Sequence, residues 1–260
     1  LNLRYIDEGE GEVLVFVHSY LWNKEMWRPQ IDYLKEKYRC ISIDLPGHGE
    51  SPNLKDIETE NVMEKIATFI SELLSDLMIE KYTYVGLSIG GMLSVPLYKI
   101  DKDKIKKMIV MDSYLGEENI AAKTLYSDIL KQVENDGAIS IKVAEKIVPM
   151  FFSEKVIHLK HELYKKLFVQ LINMPRSRIN TILKIGKAIN ERKNLLDELK
   201  KIEAPMIFIA GEYDIPRPFS ESEEMSKIKK DSLLFKIENA GHISNLENIE
   251  KVNLILEQNL

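Results

Sequence analysis

The chain has 260 residues, of which 45% are hydrophobic and 30% charged, with a formal net charge of -5. That is enough apolar material for one soluble domain with room for an insertion, and the acidic balance excludes the basic face needed for a sequence-independent grip on nucleic acid. No apolar run approaches the roughly 18 residues of a membrane span, the first residues lack the basic-then-apolar order of a secretory signal, and the single cysteine, Cys40, rules out an internal disulfide and fits a reducing, cytoplasmic setting as a buried small hydrophobe.

In chain order, LNLRYID (1–7) reads as a strand that can lie antiparallel beside the rest. VLVFVH (13–18), RCISID (39–44), YTYVG (82–86), KMIVMD (107–112), PMIFIAG (205–211) and LLFKIE (233–238) are short β-rich runs, nearly unbroken in apolar character. Strands of that kind are buried on both faces, which predicts a parallel sheet covered by helices. Residues 23–38, 58–79 and 246–260 carry apolar residues at helical spacing and supply such helices. From about Leu115 to Leu199 the alternation stops. Helix-like segments follow one another there, broken at Asn135-Asp136-Gly137, Pro149 and Pro175. The expected organisation is a core of residues 1–114 and 200–260, interrupted by a helical insertion of residues 115–199 that is either extra core or a lid over a pocket.

Gly86-Leu87-Ser88-Ile89-Gly90 fits G-x-S-x-G, with a strand before it and a helix, residues 90–99, after it. A serine at a sharp strand-to-helix turn adopts strained backbone angles, so the positions two away must lack side chains. The turn lifts the hydroxyl clear of the sheet and sets it at a helix start, where backbone N–H groups favour developing negative charge. A hydroxyl becomes a useful nucleophile only when a base takes its proton and a third group holds that base. Asp214 ends the PMIFIAGEYD stretch and His242 follows LLFKIENAG. All three candidates sit after the C-terminal ends of predicted parallel strands, the edge at which open α/β sheets bind ligands.

On these residues the chain resembles the α/β-hydrolase superfamily over nearly its whole length. The order Ser88, Asp214, His242 is the family order; DLPGHGESP (44–52) resembles the loop after the family's fourth strand, and residues 18–34 resemble its His-Gly segment with a downstream tryptophan. GLSIGGM and GHISNLE lean toward the small-lactone hydrolases and cofactor-independent esterases. The resemblance implies a helical cap at the insertion and an oxyanion hole formed by the backbone N–H groups of Tyr20 and Ile89. Ser19 stands where the family usually has glycine, which puts the shape of that loop in question. Because the elbow carries serine rather than aspartate, the implied chemistry is acyl transfer on a small ester or lactone, without metal or organic cofactor. Thioester and carbon–carbon bond hydrolysis use the same site, and a ligand-binding signalling protein with a slow triad stays open as a reading outside catalysis.

Other residues are weighed against that site. Asp112, after the fifth strand run, is the rival for the acid. His18 and His48 are read as braces of loops. His158 and His161 lie one helical turn apart with no accompanying metal-ligand set, so they are read as exposed; Met26 and Trp27 are read as core. Trp22, Met150, Phe151 and Phe152, with Phe168 and Met174, are the candidates for an apolar substrate pocket beneath the cap.

Overall fold

A computed structural model of the chain describes residues 1–55, 61–159 and 161–260. Its strands are β1 (Tyr5–Glu8), β2 (Glu12–Val17), β3 (Tyr38–Ile43), β4 (Tyr82–Leu87), β5 (Ile105–Met111), β6 (Met206–Gly211) and β7 (Leu233–Ile237). They form one sheet in the order β1-β3-β2-β4-β5-β6-β7. β1 runs antiparallel to β3 and every other pairing is parallel. Each predicted strand is present, with ends shifted by at most two residues except that β1 begins four residues later than predicted, because apolar content marks a strand's buried middle better than its hydrogen-bonded ends.

Alternation along the strands assigns the two faces. Val15 and Val17 of β2 pack in one cluster with Ile41 and Ile43, under α2 (Val62–Asp76). Leu14 and Phe16 point the other way and join Trp27 and Ile31 from the segment containing α1 (Arg28–Leu34). Both faces are dry, so the strand runs carry no polar alternation. β1 is the exception: its YIDE alternates between exposed and half-buried, as suits an edge strand, and Asp7 holds Arg39 of β3 by two hydrogen bonds.

Proline divides two of the predicted helices. Residues 23–38 fold as a short 3₁₀ turn, Lys24–Trp27, followed by α1 with Pro29 in its first turn, where proline's missing N–H costs nothing. The helix after Ser88 is split into α3 (Ile89–Met92) and α4 (Ser94–Asp101), since Pro96 has no N–H to offer the Met92 carbonyl. In the segment 58–79 the observed helix is α2; residues 58–60 lie outside the described residues.

Between β5 and β6 the described residues contain helices and no strand: α5 (Ile120–Asp136), α6 (Ile141–Ile147), a 3₁₀ turn at Val148–Phe151, α7 (Glu154–Leu159), α8 (Glu162–Ile172), α9 (Arg176–Asn190) and α10 (Leu196–Leu199). Asn119 caps α5 by accepting from the Ala122 amide, and Gly137 ends it at φ 58°, the left-handed C-terminal turn that glycine adopts without strain. The chain closes with α11 (Phe219–Ile228), α12 (Ser244–Glu247) and α13 (Ile249–Asn259). No described helix is long and apolar enough to cross a membrane.

Trp27 is fully buried with its ring 5.1 Å from that of Phe16, so it joins α1 to the sheet. Trp27→Ala is expected to lower stability by about 3–5 kcal/mol, measured as a shift in the urea unfolding midpoint at unchanged slope.

Candidate active site

The turn between β4 and α3 puts Ser88 at φ 57°, ψ -115°, a conformation that costs a non-glycine residue about 1–3 kcal/mol. Three contacts hold it there. The Ser88 amide donates to the Met111 carbonyl at 2.9 Å, the Ser113 hydroxyl donates to the Ser88 carbonyl at 2.7 Å, and Tyr84 Oη donates to the Gly90 carbonyl at 2.6 Å. The glycines permit the close approach: a methyl group at Gly86 would strike the backbone of Gly90, and one at Gly90 would strike the Val17 carbonyl.

Two further loops reach the same point. After β6, the amides of Glu212 and Tyr213 donate to the carbonyls of Ile237 and Ala240 at 2.9 and 2.8 Å, so the loop carrying Asp214 is stitched to the loop carrying His242. Asp214 Oδ2 and Oδ1 lie 2.9 and 3.0 Å from His242 Nδ1, and His242 Nε2 lies 2.9 Å from Ser88 Oγ. All three residues are buried. With Nδ1–H donated to the carboxylate, the Nε2 lone pair faces the hydroxyl. Asp112, the rival acid, makes no hydrogen bond to His242. It accepts from the Gly211 amide at 2.7 Å and from Ser244 Oγ at 2.5 Å, and burial, reinforced by the nearby charge of Asp214, raises its pKa well above the ordinary carboxylate value.

The loop after β2 supplies the third side. Among the described residues the backbone N–H groups of Tyr20 and Ile89 donate to no protein acceptor. The left-handed residue of this loop is Leu21, at φ 67°, and not the glycine-equivalent Ser19. Ser19 instead donates its amide to Met26 Sδ at 3.3 Å, while its carbonyl accepts from His18 Nδ1 at 2.7 Å and from the Trp22 amide at 3.1 Å. His18 Nε2 accepts from the Leu45 amide at 2.9 Å, and His48 Nε2 accepts from the Leu21 amide at 3.1 Å. Burial lowers the pKa of His18 to about 4 and that of His48 to about 3, so both stay neutral at physiological pH as donor–acceptor bridges between loops. Beneath them the buried Asp44 accepts from the amides of Lys24 and Glu50 at 2.7 and 2.8 Å and pairs with Lys24 Nζ at 2.8 Å.

Ser88 and His242 open onto a cavity of about 910 Å³, its mouth included, walled mainly by apolar side chains of the insertion such as Ile129, Leu130, Val133 and Ile182. Of the six sequence-predicted pocket residues, Met150 and Phe151 line it. Trp22 and Phe152 do not. They pack behind Phe151, with ring centroids of Trp22 6.4 Å from Phe151 and 6.3 Å from Phe152, because the 3₁₀ turn at Val148–Phe151 presents Phe151 to the cavity and turns Phe152 into the core. Phe168 and Met174 likewise belong to that packing and not to the wall. His158 and His161 are exposed, and His161 caps α8 through Nδ1. Cys40 is buried, and burial raises its thiol pKa to about 12.

Sequence reasoning missed two sets of residues. Glu247 accepts from the amides of Gly241 and Ser153 and from Ser153 Oγ, which ties the His242 loop to the insertion. Arg192 and Arg217, both buried, share Glu118 Oε2 at 3.0 and 2.5 Å, and Glu118 and Arg217 line the cavity. Only an arginine between two prolines, three residues after Asp214, hinted at the second set.

The sequence profile of the alpha/beta hydrolase fold family matches residues 12–249. The chain belongs to the α/β-hydrolase family. The hydrolase is 26% identical to the (E)-2-((N-methylformamido)methylene)succinate hydrolase of Acinetobacter baylyi, over 97% of this chain and 92% of that protein. It is also 26% identical to 3-oxoadipate enol-lactonase 1 of the same organism, over 96% and 89%. Among solved structures, a thermophilic esterase from Thermogutta terrifontis with malate bound superposes with a TM-score of 0.87 at 24% identity, covering 98% of this hydrolase and 92% of that chain. The enol-lactonase from Burkholderia xenovorans LB400 gives the same TM-score at 20% identity, covering 98% and 95%. At these identities the two structures establish the shared fold.

Glu221, on the first turn of α11 near Arg217, has its pKa raised by burial from 4.5 to about 7. The folded chain therefore holds that proton more tightly than the unfolded chain. Its contribution to stability is complete below pH 4.5 and declines as pH rises to about 7. Glu221→Gln is expected to flatten the fall in melting temperature across that window relative to the wild type, as read by thermal unfolding at a series of pH values.

Proposed function

We propose that this hydrolase cleaves small carboxylic esters, including cyclic ones, by acyl transfer through Ser88. The observation that carries the reading is the unbroken hydrogen-bonded relay from Ser88 Oγ to His242 Nε2 and from His242 Nδ1 to Asp214, all within 3.0 Å, at the wall of an apolar cavity. In this reading Ser88 Oγ attacks the substrate carbonyl as His242 takes its proton, and Asp214 fixes the imidazole tautomer and stabilises the cation. The oxyanion rests on the amides of Tyr20 and Ile89. Their lack of protein acceptors supports that role, and each donor is worth roughly 3–4 kcal/mol in the transition state. His242 then protonates the leaving alkoxide, and a water deprotonated by the same imidazole attacks the acyl-enzyme carbonyl, releasing the acid and restoring Ser88. In a lactone the leaving alkoxide stays attached to the acyl chain, so the same steps open the ring. The helical segment 115–199 acts as the cap that keeps the cavity dry and sets which acyl groups fit. That a relative sharing 26% identity is named an enol-lactonase supports the inclusion of cyclic esters.

The test is turnover of p-nitrophenyl esters of rising acyl length and of simple lactones. Sustained release of acid is expected from the wild type, and Ser88→Ala is expected to lower kcat at least about 10³-fold with little change in melting temperature. Activity of Ser88→Ala close to wild type, or a single labelling event followed by a stall, would count against the reading.

A further inference from the structure

The cavity beside Ser88 has one polar region. Arg217, Glu118, Asn190 and Tyr126 share its wall with the apolar residues. Arg217 is only 3% exposed. Its Nη2 pairs with Glu118 Oε2 at 2.5 Å, and that same oxygen takes Arg192 Nη1 at 3.0 Å. Nη1 of Arg217 has no hydrogen-bond partner; Glu221 Oε2 lies 3.6 Å from it and is itself unpartnered. Two buried guanidinium groups thus converge on one oxygen of Glu118, while the second carboxylate, Glu221, stays 3.6 Å from Arg217, outside hydrogen-bond distance, which leaves a buried charged donor without an acceptor. That is costly until an acceptor arrives.

The backbone ties Arg217 to the reacting centre. The Arg217 amide donates to Asp214 Oδ1 at 2.9 Å, so the guanidinium and the Asp214–His242 pair are carried by one short loop. Burial holds the pKa of Glu221 near 7, which makes it an incomplete counter-ion at neutral pH.

Building on the ester-hydrolase reading, we propose that the substrate's acyl portion carries a second, ionised carboxylate, bound by the free Nη1 edge of Arg217 while the ester carbonyl lies at Ser88. The planar guanidinium suits a carboxylate better than an ammonium would, and the apolar wall between the two ends accommodates the methylene chain joining them. Glu118 Oε1 and Asn190 Oδ1, on two residues of the same wall, are buried acceptors without partners; they would suit a ligand that brings donors, so a neutral hydroxyl-bearing acyl group is the competing occupant.

Calorimetric titration of the Ser88→Ala protein separates binding from turnover. Its ligands are the monomethyl esters of glutaric and adipic acids, the methyl esters of pentanoic and hexanoic acids as matched neutral chains, and methyl 5-hydroxypentanoate. The half-esters are expected to bind at least about tenfold more tightly than the neutral chains, as a buried charge-assisted pair allows. Adding Arg217→Gln is expected to abolish that preference, and adding Glu221→Gln, which removes the competing carboxylate, to increase it. Equal or tighter binding of the neutral or hydroxylated esters overturns the proposal, as does a preference that survives Arg217→Gln. If Arg217→Gln does not fold, the Ser88→Ala protein and its Glu221→Gln derivative decide: no preference in the first, or a reduced one in the second, overturns it equally. Wild-type turnover of a neutral p-nitrophenyl ester without any half-ester preference sinks this inference alone. Selective half-ester binding by a wild type that turns over no ester sinks the parent reading alone.

Discussion

The architecture of the site depends on a backbone that holds a serine at φ 57°, ψ -115°. Isolated, that conformation is unfavourable by an amount comparable with a large share of a domain's net stability. It persists because three strands converge on it. β5 accepts the serine's amide, β2 lies so close that only hydrogen fits at Gly90, and a tyrosine of β4 anchors the following turn. The strain is thus met by the most buried part of the sheet, and the hydroxyl is left standing at its edge.

Around that point the protein spends buried polar groups on position. Asp44, Asp112 and Glu247 each bind backbone amides or hydroxyls that fix a loop: the loop after β2, the junction of β6 with α12, and the contact between the His242 loop and the helical segment between β5 and β6. His18 and His48 do the same as neutral rings. A polar side chain with all its partners in place specifies one arrangement, whereas an apolar contact tolerates several. The same logic makes Arg217 conspicuous, since it is a buried charge whose bonding is incomplete.

The insertion is attached at several separate places. Tyr20 Oη donates to the Ile182 carbonyl at 2.8 Å, Gln170 donates to the Leu21 carbonyl at 2.8 Å, and the Ile243 amide donates to the Phe151 carbonyl at 3.2 Å. Two of these bonds involve the loop that carries the Tyr20 amide and the third involves the loop of His242. The helices between β5 and β6 are therefore hydrogen-bonded directly to the loops that carry Tyr20 and His242.

The linear order of residues determined the sheet, because burial on both faces demands long apolar runs, and it determined which hydroxyl, imidazole and carboxylate to consider, because each follows a strand end. It also showed where strand-like runs stop, after Leu115, and the described residues between β5 and β6 are helical. What it left open was decided by side-chain direction and by distance along the chain. Phe151 and Phe152 are adjacent and alike in composition, yet a 3₁₀ turn sends one to the cavity and the other to the core. Ser19 was suspect as a replacement for glycine, but the left-handed angle falls on Leu21. Glu118, Arg192 and Arg217 are about a hundred positions apart at the extremes, and only the fold brings these buried charges together. Local patterns encode what each segment buries; only the tertiary structure sets which buried charges face one another, because that pairing depends on the packing of every segment between them.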